Sequence, residues 1–140
     1  MSVKLKYQSG SPVIASLYAY AAIDKDELVM VDTTNNGIIP ATASTTSLNV
    51  IGVAQEAITA TERGRVILLE PGQIWEIATD IATLAGHECI HHVLANSTSV
   101  TLTGTDDTST AGIAMMLRRV GATGDKLAEF QIIKSANVTA

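Results

Sequence analysis

Most of the residues that announce a chemistry or a compartment are scarce in this chain. One cysteine, Cys89, among 140 residues excludes an internal disulfide framework and suits synthesis in a reducing compartment. Charged residues make up only 16%, and apart from the pair Arg118-Arg119 the cations are scattered. No basic stripe exists to neutralise a phosphate backbone, so nucleic-acid binding is not expected. No stretch approaches the roughly 20 apolar residues of a membrane-spanning helix, and Met1 to Gln8 lacks the apolar region of a signal peptide. Neither a membrane nor an export route is expected. Aromatics number three Tyr, one Trp and one Phe. The glycines do not gather into a phosphate loop: Gly52 stands alone, and Gly121-Ala122-Thr123-Gly124 lacks the Lys-Ser/Thr that would follow. No internal repeat of roughly 20–50 residues is visible.

What is present is a chain that can bury a core. Hydrophobic residues reach 46%, mostly Ala, Val, Ile and Leu, and the length fits one domain. Net charge is −5, low cover for a solitary domain and tolerable for one that lies against other subunits.

Short strand-like segments dominate from Glu27 to Ile77, with turn chemistry at nearly every joint. Glu27 to Asp32 reads as a strand, Thr33-Thr34-Asn35-Asn36-Gly37 as its turn with Asn-Gly supplying positive φ angles, and Ile38 to Thr42 as the return. Asn49 to Ala54 follows. Glu62-Arg63-Gly64 turns into Arg65 to Glu70, whose four consecutive apolar residues suit a strand covered on both faces. Pro71-Gly72 turns into Gln73 to Ile77. Val13 to Ile23 fits helix or strand, and Tyr18 and Tyr20 favour strand. Asp80 to Gly86 reads as a brief capped helix. His87 to Ala95 and Ser99 to Thr103 read as strands, and Gly112 to Val120 with Lys126 to Lys134 as a hairpin. Together these predict a mainly β single domain with at most one or two short helices, a small barrel or tulip-like fold over residues 13–134. Residues 135–140 form a small polar tail.

At the N-terminus Val3, Leu5 and Tyr7 alternate with Lys4, Lys6 and Gln8, and Ser9-Gly10-Ser11-Pro12 breaks the pattern. Residues 1–12 therefore read as a flexible arm and hinge whose apolar edge can pair with a partner's sheet, or as a frayed terminus or edge strand.

Candidate chemistry is thin. In a strand, His87, Cys89 and His91 would share one face, and these are good zinc ligands. Their spacing matches no common zinc pattern, and a second separated pair is missing. A buried Cys89 with the histidines as strand-face or subunit-contact groups is the preferred reading, and no metal or cofactor is expected. Asp106-Asp107 lacks the glutamate that closes a calcium loop. Asn96-Ser97-Thr98 and Asn137-Val138-Thr139 are sequons without a secretion signal. Trp75 is an anchor, either of the core or of an interface.

From Glu27 to Thr83 the chain resembles the capsid decoration (head-stabilisation or cement) proteins of lambda-like tailed bacteriophages. Leu28-Val29-Met30-Val31-Asp32-Thr33 is similar to the family's apolar strand ending in an Asp-Thr turn, and Ile38-Ile39-Pro40-Ala41 to its return strand. Ile51-Gly52-Val53-Ala54 resembles the strand with glycine between aliphatics, and Val66 to Trp75 the hairpin with a glycine turn and then an aromatic. The resemblance implies a small mixed β fold, homotrimers on a capsid lattice, no enzymatic activity, and synthesis in the host cytoplasm followed by residence on the virion surface. It also implies that Val3, Leu5 and Tyr7 belong to an arm that orders against the major capsid protein. The segment from His87 to Lys134 adds strands beyond the smallest members. Two alternatives stay open: a small metal-binding β-barrel enzyme or module using His87, Cys89 and His91, and another virion part from the head–tail junction or tail.

Overall fold

In a chain whose apolar residues come in short β-branched runs separated by Gly, Pro, Asn and Asp, strands are the expected element, and strands are what forms. The computed structural model describes residues 3–32, 34–42, 50–80, 87–102, 113–122 and 124–133, with backbone alone at 93, 94, 101 and 102. Eleven strands appear among them: β1 (Lys4–Tyr7), β2 (Ile14–Tyr18), β3 (Leu28–Val31), β4 (Ile38–Pro40), β5 (Val50–Ala54), β6 (Arg63–Leu68), β7 (Ile74–Thr79), β8 (His91–Asn96), β9 (Ser99–Leu102), β10 (Ala114–Arg119) and β11 (Leu127–Ile132). No α-helix occurs among the described residues. The brief helix expected from Asp80 falls on residues 81–86, outside them.

The strands form two sheets that both curl toward closure. The first runs β1-β7-β11-β10-β8-β9, and β9 returns to pair in parallel with β7, so five of its strands form a ring. The second runs β2-β6-β5-β3-β4. There a parallel bridge between Ala19 and Ile38, with Tyr20 N–H donating to the Ile38 carbonyl at 2.9 Å, stitches the outer strands together. Closure removes most of the unpaired edge that an open sheet leaves exposed.

The core lies mainly between the sheets. Leu28, Met30, Val53, Ile67 and Leu69 of the second sheet meet Trp75, Ile77, Val100, Met116, Phe130 and Ile132 of the first. A second cluster of Ala19, Ile23, Val29, Ile38, Ile51, Ala54, Ile58 and Val66 fills the far face of the second sheet. Strands β3 and β5 are therefore buried on both faces, which is why their sequences read as unbroken apolar runs. Gly52 is the exception that makes the packing possible. A Cβ there would strike the Ile67 carbonyl and the Val66 side chain, so β5 and β6 approach closely only because that position has none.

Three joints are settled by groups the sequence did not reveal. The connection after β3 is the expected turn, which returns the chain into β4 at Ile38. Asp32 holds it: its Oδ1 accepts from the backbone N–H of Thr34 (2.9 Å) and Asn35 (3.1 Å), its Oδ2 accepts from Asn35 Nδ2, and Asp32 N–H donates to the Gly37 carbonyl. Among the described residues there, Gly37 takes a positive φ, 121°. These backbone hydrogen bonds hold the Asp32 carboxyl below its ordinary pKa. The Pro71-Gly72 turn, unlike that one, is not a hairpin, because β6 and β7 belong to different sheets. The third is the N-terminus. Residues 4–7 are not free of the domain but pair with β7, Lys4 opposite Glu76 and Leu5 opposite Trp75. Val3 is 2% exposed within the core. Burying Val3 and Leu5 beside Trp75 offsets the ordering entropy that a free arm would keep.

Of the four apolar residues from Val66 to Leu69, Leu68 alone is half-buried while its neighbours are buried. Leu69→Ala should therefore cost about 2–5 kcal/mol of unfolding free energy, the range for a fully buried leucine, and Leu68→Ala clearly less. Urea titrations of the two variants check this; equal losses would mean that Leu68 shares the core.

Candidate functional site

Three groups of residues compete for the role of a site. The first surrounds Trp75. The indole is 1% exposed, so it anchors the core and offers no surface to a partner. Its Nε1–H donates to Gln73 Oε1 at 2.9 Å. Gln73, equally buried, uses both ends of its amide. Oε1 also accepts from Glu70 N–H (3.0 Å), while Nε2 donates to the Leu68 carbonyl (3.0 Å) and to Gln8 Oε1 (2.8 Å). One amide thereby ties the N-terminal strand, the end of β6, the turn between the sheets and the core tryptophan. The sequence shows Trp75 but gives no signal that Gln73 is its partner.

The second group is the run from His87 to His92. A strand over His87–Ala95 would align His87, Cys89 and His91, but β8 begins only at His91. Cys89 sits in the left-handed region, φ 67°, and is exposed rather than buried. Its N–H donates to the Met116 carbonyl at 2.8 Å, which turns the segment and breaks the two-residue alternation. The shared strand face that a three-ligand metal site needed is therefore absent.

The buried histidine is His92, 0% exposed. Its Nδ1 lies 3.0 Å from the Ile90 carbonyl, and because a carbonyl only accepts, Nδ1 carries the proton. The ring meets Phe130 edge-on, with centroids 4.8 Å apart, and Nε2 is buried without a partner. Burial holds the imidazole below its ordinary pKa, with the hydrogen bond to Ile90 opposing.

The third group is an exposed apolar surface that the sequence reading did not single out. Among the described residues, Tyr7 (58% exposed), Val13 (47%), Ile14 (50%), Tyr18 (38%) and Tyr20 (47%) are the large apolar side chains that face solvent. They include every tyrosine of the chain. Ile14, Tyr18 and Tyr20 lie two or four residues apart, so they line one face of β2 and its extension, with the small exposed Ser16 between them. Arg65 and Arg63 of β6 stand opposite Ser16 and Tyr18. Of the three apolar residues Val3, Leu5 and Tyr7, Val3 is buried, Leu5 packs half-buried on the core, and Tyr7 is exposed.

No protein-family model and no curated protein sequence matches the chain. Among solved structures it is similar to the N base of the head fibre of bacteriophage phi29. The TM-score is 0.59 and the identity 15%, and the likeness spans 92% of this chain and 100% of that one. At that identity the likeness is one of fold: the two-sheet β architecture is shared along nearly the whole chain.

Two outcomes follow. Gln73→Leu keeps the volume but orphans Trp75 Nε1–H and Glu70 N–H. At about 1–3 kcal/mol per orphaned buried group, chemical denaturation should show a loss of at least about 2 kcal/mol, and an unchanged midpoint would show that water replaces the amide. For His92 the folded pKa lies below the unfolded value of about 6.5, so the unfolded state takes up the proton first. Stability is complete above about pH 6.5 and falls as the pH drops below it. Melting curves between pH 7.5 and about pH 5 should show that decline, and His92→Phe should flatten it; an equal slope in the variant would assign the decline to other groups.

Proposed function

We propose that this chain is a structural protein of a bacteriophage virion. In this reading it binds the outer surface of the head, as a homotrimer, and stabilises the shell by bridging subunits of the major capsid protein. The observation that carries the reading is the fold-wide likeness to a phage head-fibre base. It agrees with the class reached from the order of strand and turn motifs between Glu27 and Thr83.

The activity in this reading is binding rather than chemistry. A protein that binds the assembled shell and not its separated subunits stabilises the shell by mass action. Repeating one contact through several linked subunits raises avidity by about 10²–10⁴-fold without any new contact. A rigid body suits that task. Two curled sheets joined by a buried amide leave little conformational freedom to lose on docking, and ordering costs subtract directly from affinity. Within this reading β1 offers a partner the exposed Tyr7 rather than a free arm, because Val3 and Leu5 are engaged in the domain.

Electron microscopy of particles from the phage that encodes the protein, compared with particles lacking its gene, tests the reading. Difference density on the outer face of the head is the expected result. Density at the tail or the head–tail junction, or none on the particle, would overturn it.

A further inference from the structure

The two sheets end in edge strands that are treated very differently. On β1, Lys4 and Lys6 are exposed and the pairing with β7 slips between Leu5 and Tyr7. A charged, bulged edge resists further pairing. Strand β2 has neither device. Ile14-Ala15-Ser16-Leu17-Tyr18 carries no charge and no proline, and its register with β6 is continuous. Val13 accepts from Leu68 N–H and Ala19 N–H donates to Glu62, both at 2.9 Å. Odd-numbered residues therefore turn their backbone groups to β6, and Ile14 and Ser16 turn theirs to the open edge, which the Ala19–Ile38 bridge closes beyond Tyr18. There the Ser16 carbonyl accepts from the exposed Arg63 guanidinium at 2.8 Å, a contact that a docking surface can displace.

We infer that β2, with its exposed row Ile14, Tyr18 and Tyr20 and the adjoining Val13, is the surface through which copies of this chain contact one another. This rests on the homo-oligomeric part of the proposed function and not on where the protein sits in a virion. Three side chains 38–50% exposed on one face form a patch toward the lower end of the roughly 300–600 Å² of the largest patch on a typical monomer, and such patches mark interaction sites; Val13 adds to the other face of the same strand. Tyrosine and arginine are also the residues over-represented where binding energy concentrates.

Charge argues for a second copy as the occupant. Each chain carries −5, so copies repel wherever their surfaces are acidic. On the exposed face of β2 and β6 stand Arg63 and Arg65, with Glu56 meeting Arg65 at 3.5 Å, so this surface is locally cationic on an acidic chain. A head-to-tail contact, the kind that closes a ring of subunits, sets it against the acidic remainder of a second copy.

Sedimentation equilibrium of the full chain, from about 10 μM to about 1 mM, the range that reads a self-association of roughly −4 to −7 kcal/mol, tests the inference. Ile14→Lys and Tyr20→Lys are run beside the wild type, with circular dichroism to confirm the fold. The wild type should associate, and each lysine should weaken association at least tenfold. Hydroxyl-radical footprinting of the unaltered protein should show protection of Ile14, Tyr18 and Tyr20 that grows with concentration, a readout that needs no variant to fold. A monomer across the whole range, an oligomer that both substitutions leave intact, or a row equally labelled at all concentrations would overturn the inference. A monomer whose binding to shells is lost in the lysine variants would give the row to the shell protein instead. Association into a number other than three, dissolved by the same substitutions, would keep the surface and remove the trimer.

Discussion

Everything in this fold depends on how two curled sheets are held against each other, and one buried amide carries much of that constraint. A buried polar group without partners costs about as much as a lost buried hydrogen bond or more. Gln73 is the partner of four groups: the buried Trp75 indole N–H and, half-buried, the Glu70 N–H at the turn, the Leu68 carbonyl at the end of β6 and the Gln8 amide beyond β1. Each is satisfied only while the turn, both sheets and the N-terminal strand keep their relative positions. The geometry is thus over-determined at the point where the chain crosses between sheets.

Around that node the packing is divided. Alternating side chains on β3, β5 and β6 feed two clusters, one between the sheets and one within the second sheet. That explains why so much of the apolar content is small and aliphatic. A double-faced strand with a close neighbour has room for Val, Ile and Ala, and at Gly52 for no side chain. Trp75 and Phe130, the bulkiest residues, both belong to the cluster between the sheets, where filling the gap buries the most area.

The distribution of polar and aromatic residues then separates interior from working surface. His92 is buried with one ring nitrogen bonded and the other unpartnered, which makes it a pH-sensitive part of the packing rather than a ligand. The tyrosines are all exposed, Tyr7 at the end of β1 and Tyr18 and Tyr20 on β2 and its extension.

Much of the scaffold was legible in the sequence. The strands from Leu28 onward, the hairpin of β10 and β11, and the inward set Ala128, Phe130 and Ile132 follow from period-two alternation and from turn residues, which act locally. The Asp32 loop was half legible: the turn was visible, but the side-chain bonds that shape it were not. What only the tertiary structure decided are the choices made by distant partners. Pro71-Gly72 looks like a hairpin turn, yet Gln73 makes it a crossing between sheets. Val3 and Leu5 look like a free arm, yet β7 and Trp75 offer them burial. His87, Cys89 and His91 look like one strand face, yet the Cys89 N–H reaching the Met116 carbonyl turns the chain there. Alternation sets what a segment prefers within a few residues; which edge it meets, and so which side is buried, is set by groups far away in the chain.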